Sequence, residues 1–256
     1  MIRVGIIDFS NSYPLFYALR NQIVPHQAAL TYGTPVEINT KLRTGEVDVA
    51  LVSSTEFSRN RSSYIILSDL GVGATENVIS VRLFYTGKEL QLDMRKVYVP
   101  SHSDTSVRLL KTLCKYFWNV SPQFRLYSGN PKNLFHQNDP FLIIGDSCLK
   151  YMHTTTHTSI DLSQAWHSAT SKSFIYSLIA TRKESFENNF SGVAAFHRSV
   201  HDSYAWALEN MDIIIDHAAG KAHTDTSLMR TYYSTLEHRL AEKHFVGFEY
   251  FASLEV

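Results

Sequence analysis

Residues 96–113 read KVYVPSHSDTSVRLLKTL, and this order confines the fold more than any other stretch of the chain. Lys96–Pro100 is a β-branched and aromatic run closed by proline, the pattern of a buried strand reaching its carboxyl end. Ser101, Ser103, Asp104, Thr105 and Ser106 form a polar loop. Val107, Leu109, Leu110 and Leu113 then fall on one side of a helix that starts near Asp104. The first turn of such a helix carries unpaired N–H groups and the positive end of the helix dipole, which suit a carboxylate or a phosphate. Ser103 or Asp104 acting only as a helix cap is the commoner arrangement, so the segment by itself leaves both roles open.

The same unit recurs along the chain. Arg3–Ile7 predicts a first strand, followed by the polar loop of residues 8–12 and a helix from Tyr13-Pro14 to about Arg20. Thr34-Pro35-Val36-Glu37 has the spacing of a capping box, and Gly45 is placed to end that helix. Val47–Val52 predicts the next strand, closed by Ser53-Ser54-Thr55. Further strands are expected at 64–67, at 77–85 with Ser80 near its middle, at 124–127, at 141–145 running into Asp146, and at 174–181. Residues 190–211 read as a helix with Val193, Ala194, Phe196, His197, Val200, Tyr204, Ala207 and Leu208 on one face, and the tail to Leu254 is helical in pattern. Alternating strands and helices imply an α/β class with mostly parallel strands. In open sheets of this class a ligand sits beyond the carboxyl ends of the strands. Those ends offer Ser10, Asn11, Ser53, Ser54, Ser103, Thr105, Ser106 and Asp146, a neutral and hydroxyl-rich set.

Composition removes several classes of function. Lys plus Arg equals Asp plus Glu at 24 each in 256 residues, so no overall field favours nucleic acid or an anionic membrane. Cys114 and Cys148 have no C-x-x-C spacing and are expected to be buried free thiols. The first residues run straight into a strand without the pattern of a secretory signal, and no apolar run nears the roughly 18 residues of a membrane span, so a cytoplasmic protein is expected. There is no Walker A loop, G-x-G-x-x-G, H-E-x-x-H or G-x-S-x-G. His153 and His157 stand four apart but lack a third ligand nearby, so no metal and no cofactor are expected. Asn in a strand-to-helix loop is commonly a turn residue, Ser inside a strand commonly a small packed one, and Asp146 either a helix cap, the favoured role, or a group for proton transfer.

Several spaced pieces together resemble one family. They are Gly5-Ile6 with Asn11-Ser12-Tyr13-Pro14-Leu15; Gly33-Thr34-Pro35; residues 45–52, GEVDVALV; residues 78–84, VISVRLF; Ser103-Asp104-Thr105-Ser106 with Leu109; Leu142-Ile143-Ile144-Gly145-Asp146; Asp161-Leu162 with Trp166, Thr170 and Phe174; and residues 233–251. In this order, from end to end, they resemble the chorismate dehydratases of the futalosine route to menaquinone. The resemblance implies a type 2 periplasmic binding protein-like fold, two α/β lobes joined by two crossing strands with the ligand cleft between them. By that analogy residues 1–90 and 185–256 form the first lobe and 91–184 the second.

It further implies a hydro-lyase acting on chorismate, a small dianion, to give 3-[(1-carboxyvinyl)oxy]benzoate and water. Asn11 and Ser80 would be catalytic, orienting the substrate's enolpyruvyl carboxylate as base, while Ser54, Ser103, Thr105, Ser106 and Asp146 would contact substrate. Ser53 and Ser173 depart from the family, which usually has proline at each, and this bears on loop rigidity. Two other readings share the fold: a non-catalytic solute-binding protein, and the ring-closing enzyme later in the pathway. The catalytic histidine expected of the latter is absent at Gly145-Asp146.

Overall fold

The computed structural model describes residues 1–153 and 155–256. The first sheet is built from β1 (Ile2–Ile7), β2 (Ala28–Gly33), β3 (Val49–Ser53) and β4 (Tyr64–Ala74). The second takes β5 (Val81–Tyr85), β6 (Lys96–Pro100), β7 (Gln123–Tyr127), β8 (Phe141–Ile144) and β9 (Thr158–Asp161). The chain then returns to the first sheet as β10 (Phe174–Arg182) and β11 (Glu237–Arg239). Strand orders are β11-β4-β10-β3-β1-β2 and β7-β6-β8-β5-β9.

The sheets are mixed rather than mostly parallel. β1 is parallel to β2 and β3, and β6 to β7 and β8, but β10 is antiparallel to β3 and β4, and β5 to β8 and β9. The cause is the path between sheets: β4 leads out towards the second sheet and β10 comes back beside it, so the two run in opposite directions. By strand membership the chain changes sheet between Ala74 and Val81 and between Asp161 and Phe174, while the lobe limits expected from sequence stand near 90 and 184.

Helices cover both sheets and fill the crossovers: α1 (Tyr13–Arg20), α2 (Pro35–Thr44), α3 (Ser54–Arg59), α4 (Thr105–Thr112), α5 (Gly145–Tyr151) and α6 (Leu162–Thr170), then α7 (Lys183–Asn188), α8 (Phe190–Glu209), α9 (Met211–Ala222), α10 (Thr226–Thr235) and α11 (Glu242–Ser253). The capping box is formed: the Glu37 N–H donates to Thr34 Oγ1 at 3.4 Å and the Thr34 N–H to Glu37 Oε2 at 2.7 Å. Gly45 ends α2 at φ +78°, the left-handed region that a side chain resists. α4 passes into a π-helical turn over Leu113–Phe117. On α8 the buried positions are Val193, Phe196, Val200, Ser203 and Ala207, whereas Leu208 is 58% exposed. Cys114 and Cys148 are buried free thiols, the Cys114 thiol pushed up to about 12 by burial.

The tail helices join the lobes. Ile214, Ile215, Ala218, Met229 and Tyr232 share one apolar core with Leu83, Leu142, Leu149 and Trp166 of the second lobe. On the first-lobe side, His238 Nε2 donates to the Asn11 carbonyl at 2.8 Å and Lys221 Nζ pairs with Asp8 Oδ1 at 2.7 Å. Arg108 of α4 donates to the carbonyls of Phe251, Ala252 and Leu254 at 3.0–3.3 Å, capping the carboxyl end of α11.

Two stability predictions follow from this packing. A Cβ at Gly247 would lie 1.9 Å from the Ser173 carbonyl oxygen, whereas one at Gly220, exposed on α9, would meet nothing within 4 Å. Gly247→Ala should therefore cost about 1–3 kcal/mol or more and Gly220→Ala be neutral or gain up to about 1 kcal/mol; thermal melting of the two variants checks the contrast. The second concerns His238, whose burial lowers its pKa from 6.5 to about 4. Between those values the unfolded chain holds a proton that the folded chain does not, so stability is lost as pH falls through this window. The loss assignable to this ring is up to about 3 kcal/mol. Denaturant titrations from pH 7 to 4 should show His238→Gln losing less than the parent, and parallel curves would rule the assignment out.

Candidate functional site

The cleft between the sheets holds about 520 Å³ of empty space, its open mouth included. Ile7 reaches it from the end of β1, Phe9 and Asn11 from the loop that follows, Pro35 from the start of α2, and Ser53, Tyr176 and Ser177 from β3 and β10. Val78, Ser80, Val81, Ser103, Asp104, Thr105, Ser106 and Ile144 come from the second lobe. Each side mixes apolar residues with hydroxyls, Ser53, Tyr176 and Ser177 on one and Ser80, Ser103, Thr105 and Ser106 on the other. Asp104 is the single charged residue in the lining, and its carboxylate is engaged by Arg59 Nη1 at 2.7 Å.

Asn11 sits in a one-turn 3-10 helix, Ser10–Ser12, whose backbone is clamped from three directions. The Ser10 N–H donates to Asp146 Oδ1 at 3.0 Å, Tyr233 Oη donates to the Ser10 carbonyl at 2.8 Å, and His238 holds the Asn11 carbonyl. With the backbone fixed, the Asn11 Oδ1 atom is buried without a hydrogen-bond partner in the protein. A buried acceptor in this condition is what a ligand donor would satisfy.

Ser80 does not lie inside a strand. The turn Val78–Ser80 precedes β5, with Ile79 at φ +63°, a conformation that costs a β-branched residue energy. The buried Asp161 carboxylate holds it there, accepting N–H bonds from Ile79 at 2.7 Å and Val78 at 3.2 Å while also capping α6 through Ser163 and Gln164. Burial pushes the Asp161 carboxyl up against these bonds and the Arg82 guanidinium, which draw it down. Gly145 donates its N–H to the Ser80 carbonyl at 2.8 Å, and the Ser80 hydroxyl meets Tyr232 Oη at 3.0 Å.

The structure brings Asn11, Ser80, Ser103, Thr105 and Ser106 to the cleft surface. Thr105, however, turns its hydroxyl to the lobe junction, where Oγ1 accepts the Thr55 N–H at 3.0 Å and lies 3.4 Å from Ser54 Oγ. Ser54 is fully buried beneath this junction and Asp146 behind the Ser10 turn, and neither is in the lining. Asp146 caps no helix of its own: Ile144 is the N-cap of α5, and the carboxylate crosses to the other lobe. Burial raises its pKa, opposed by the Ser10 hydrogen bond.

Ser53 and Ser173 are tied down by hydrogen bonds. The Ser53 N–H donates to Asn39 Oδ1 at 3.1 Å, a bond proline could not make, and its Oγ accepts from Asn39 Nδ2 at 2.9 Å. Ser173 Oγ bonds Thr75 Oγ1 at 3.0 Å.

Sequence reasoning missed Tyr176, Tyr232, Tyr233, His238 and the use of Asp161. Tyr176 is the extra residue of a bulge in β10, where Ile175 and Ser177 pair with the adjacent Gly73 and Val72. No local pattern announces such a bulge. The adjacent tyrosines on α10 were the one available signal, and composition alone reads them as core. Among the described residues no group of three or more His, Cys, Asp or Glu is arranged to hold a metal, and no helix is long and apolar enough to cross a membrane.

Comparison with known proteins agrees with this architecture. The chain is 29% identical over 197 residues to a chorismate dehydratase of Thermus thermophilus, covering 71% of this chain and 70% of that one. To a chorismate dehydratase of Campylobacter jejuni it is 28% identical over 176 residues, covering 67% of this chain and 64% of the other. Its fold is similar to that of the Candida albicans CA3427 gene product, which is described as exhibiting the generic periplasmic binding protein structural fold. That likeness has a TM-score of 0.74 at 14% identity and covers 98% of this chain and 89% of that one. The match to the family described as Menaquinone biosynthesis runs over residues 2–255, essentially end to end, and the chain belongs to that family.

Proposed function

We propose that the cleft takes chorismate and removes water from it, giving 3-[(1-carboxyvinyl)oxy]benzoate. The observation that carries this reading is the meeting of Asn11 and Ser80, from opposite lobes, in one cleft whose lining is hydroxyl-rich and free of Lys, Arg and His. The chemistry needs little more. Loss of the C3 proton leaves charge that the ring carboxylate accepts through the diene, and departure of the C4 hydroxyl completes a benzene ring. The substrate's enolpyruvyl carboxylate takes the C3 proton, and the amide N–H of Asn11 and the hydroxyl of Ser80 donate the hydrogen bonds that hold it. The proton taken from C3 passes from that carboxyl to the departing hydroxide, which leaves as water and restores the carboxylate. Most of the rate then comes from orientation and fixed dipoles.

The two negative charges of the substrate meet hydroxyls and helix N-termini in place of side-chain cations. Ser103 and Ser106, with the unpaired N–H groups at the start of α4, are assigned to one carboxylate. Thr105 is assigned to lobe closure through Thr55, and Ser54 and Asp146 support the site from behind. The names of the relatives, both chorismate dehydratases, favour an enzyme over a solute-binding protein.

Incubation of the purified protein with chorismate should yield an aromatic product lighter by one water in the mass spectrum. Tight binding without turnover at any pH would instead make this a solute-binding protein. Within the dehydratase reading, Asn11→Ala should lower kcat by about 100-fold or more and change KM by less than about threefold, because the contact strengthens in the transition state. An unchanged kcat would take Asn11 out of the chemistry.

A further inference from the structure

We propose that Tyr232, on the tail helix α10, is a positioning residue that aims the hydroxyl of Ser80 into the cleft. The proposal rests on the assignment of Asn11 and Ser80 as the reacting side chains. Tyr232 Oη lies 3.0 Å from Ser80 Oγ, and the side chain is 1% exposed and lies outside the cleft lining. The phenol is therefore behind the serine and cannot itself reach a ligand in the cleft.

Burial drives the phenol pKa far up, with the nearby Asp146 acting in the same sense, so Tyr232 is held as a neutral phenol. Its hydroxyl and that of Ser80 share one hydrogen bond, and this fixes the rotamer in which the serine oxygen meets the cleft.

The neighbouring residue works on the same loop. The ring of Tyr233 stacks on that of Tyr232 with centroids 5.7 Å apart, and its hydroxyl donates to the Ser10 carbonyl. Two consecutive residues of α10 therefore hold the backbone before Asn11 and the side chain of Ser80. Geometry of this kind sets how well a group is aimed more than how well the substrate binds.

Tyr232→Phe keeps the ring and removes the hydrogen bond to Ser80. It should lower kcat by about tenfold or more and change KM by less than about threefold. In a Ser80→Ala background the same change should cost less than about twofold, since a residue that acts through Ser80 has nothing left to aim. A purely structural role would lower the melting temperature and leave kcat per folded molecule as it was. A second measurement does not depend on the substrate: the Ser80 Cβ–Hβ signals of the ligand-free protein, assigned by their loss in Ser80→Ala, should shift and lose the couplings of a single fixed rotamer in Tyr232→Phe. Failure of the parent to turn over chorismate would remove the reaction and leave this measurement to decide the link. Unaltered Ser80 signals, or an unchanged kcat in Tyr232→Phe of an active enzyme, would overturn it.

Discussion

The geometry of the cleft depends on one buried carboxylate. Asp161 accepts hydrogen bonds from the N–H groups of Val78, Ile79, Ser163 and Gln164 at once, with the Arg82 guanidinium 3.5 Å away. Part of this is ordinary helix capping. The rest holds Ile79 in a left-handed conformation that its branched side chain disfavours. Because the strained residue precedes Ser80, the same carboxylate that starts α6 also determines where the serine points. A buried acid that satisfies four donors offsets its desolvation through them, whereas a neutral group of the same size could not hold the turn.

How much of this was legible in the sequence varies with the range of the interaction. The capping box at Thr34–Glu37, the glycine stop at Gly45 and the strand-loop-helix unit at 96–113 are local, and each formed where the pattern put it. β2, β9 and β11 were not foreseen. β2 is partly solvated, β9 is four residues long and β11 three, so their existence depends on a partner strand rather than on their own residues. Ser80 read as the middle of a strand because NVISVRLFY alternates well, but Asp161, 81 residues later, breaks the strand before it. On α8 the expected Leu208 faces water and Ser203 is buried, since over 20 residues the face is set by packing on α1 and β1 more than by the count of apolar positions.

The hydroxyl-lined strand ends were visible because that property belongs to residue type and position together. Their division of labour was not. Ser103, Thr105 and Ser106 look alike in sequence, yet Thr105 spends its hydroxyl on the opposite lobe. Tyr232 and His238, more than 200 residues from Asn11, reach the site only because α10 and β11 fold back over the first turn of the chain.

The tail packs into the second-lobe core while gripping the Ser10–Asn11 turn of the first, and this makes the two edges of the cleft unlike each other. Along the tail edge the lobes share buried aromatic and aliphatic surface. Along the other, the junction is the Arg59–Asp104 pair, the buried contacts of Thr105 with Ser54 and Thr55, and the bonds of Arg108 to the end of α11. An exposed ion pair such as Arg59–Asp104 contributes at most about 1 kcal/mol. The molecule is bound like a book, with α9 and α10 as its spine and the ends of α3 and α4 as the free margins of its covers. The Asn11 side of the cleft lies against the spine, and the Ser103–Ser106 side lies against those margins.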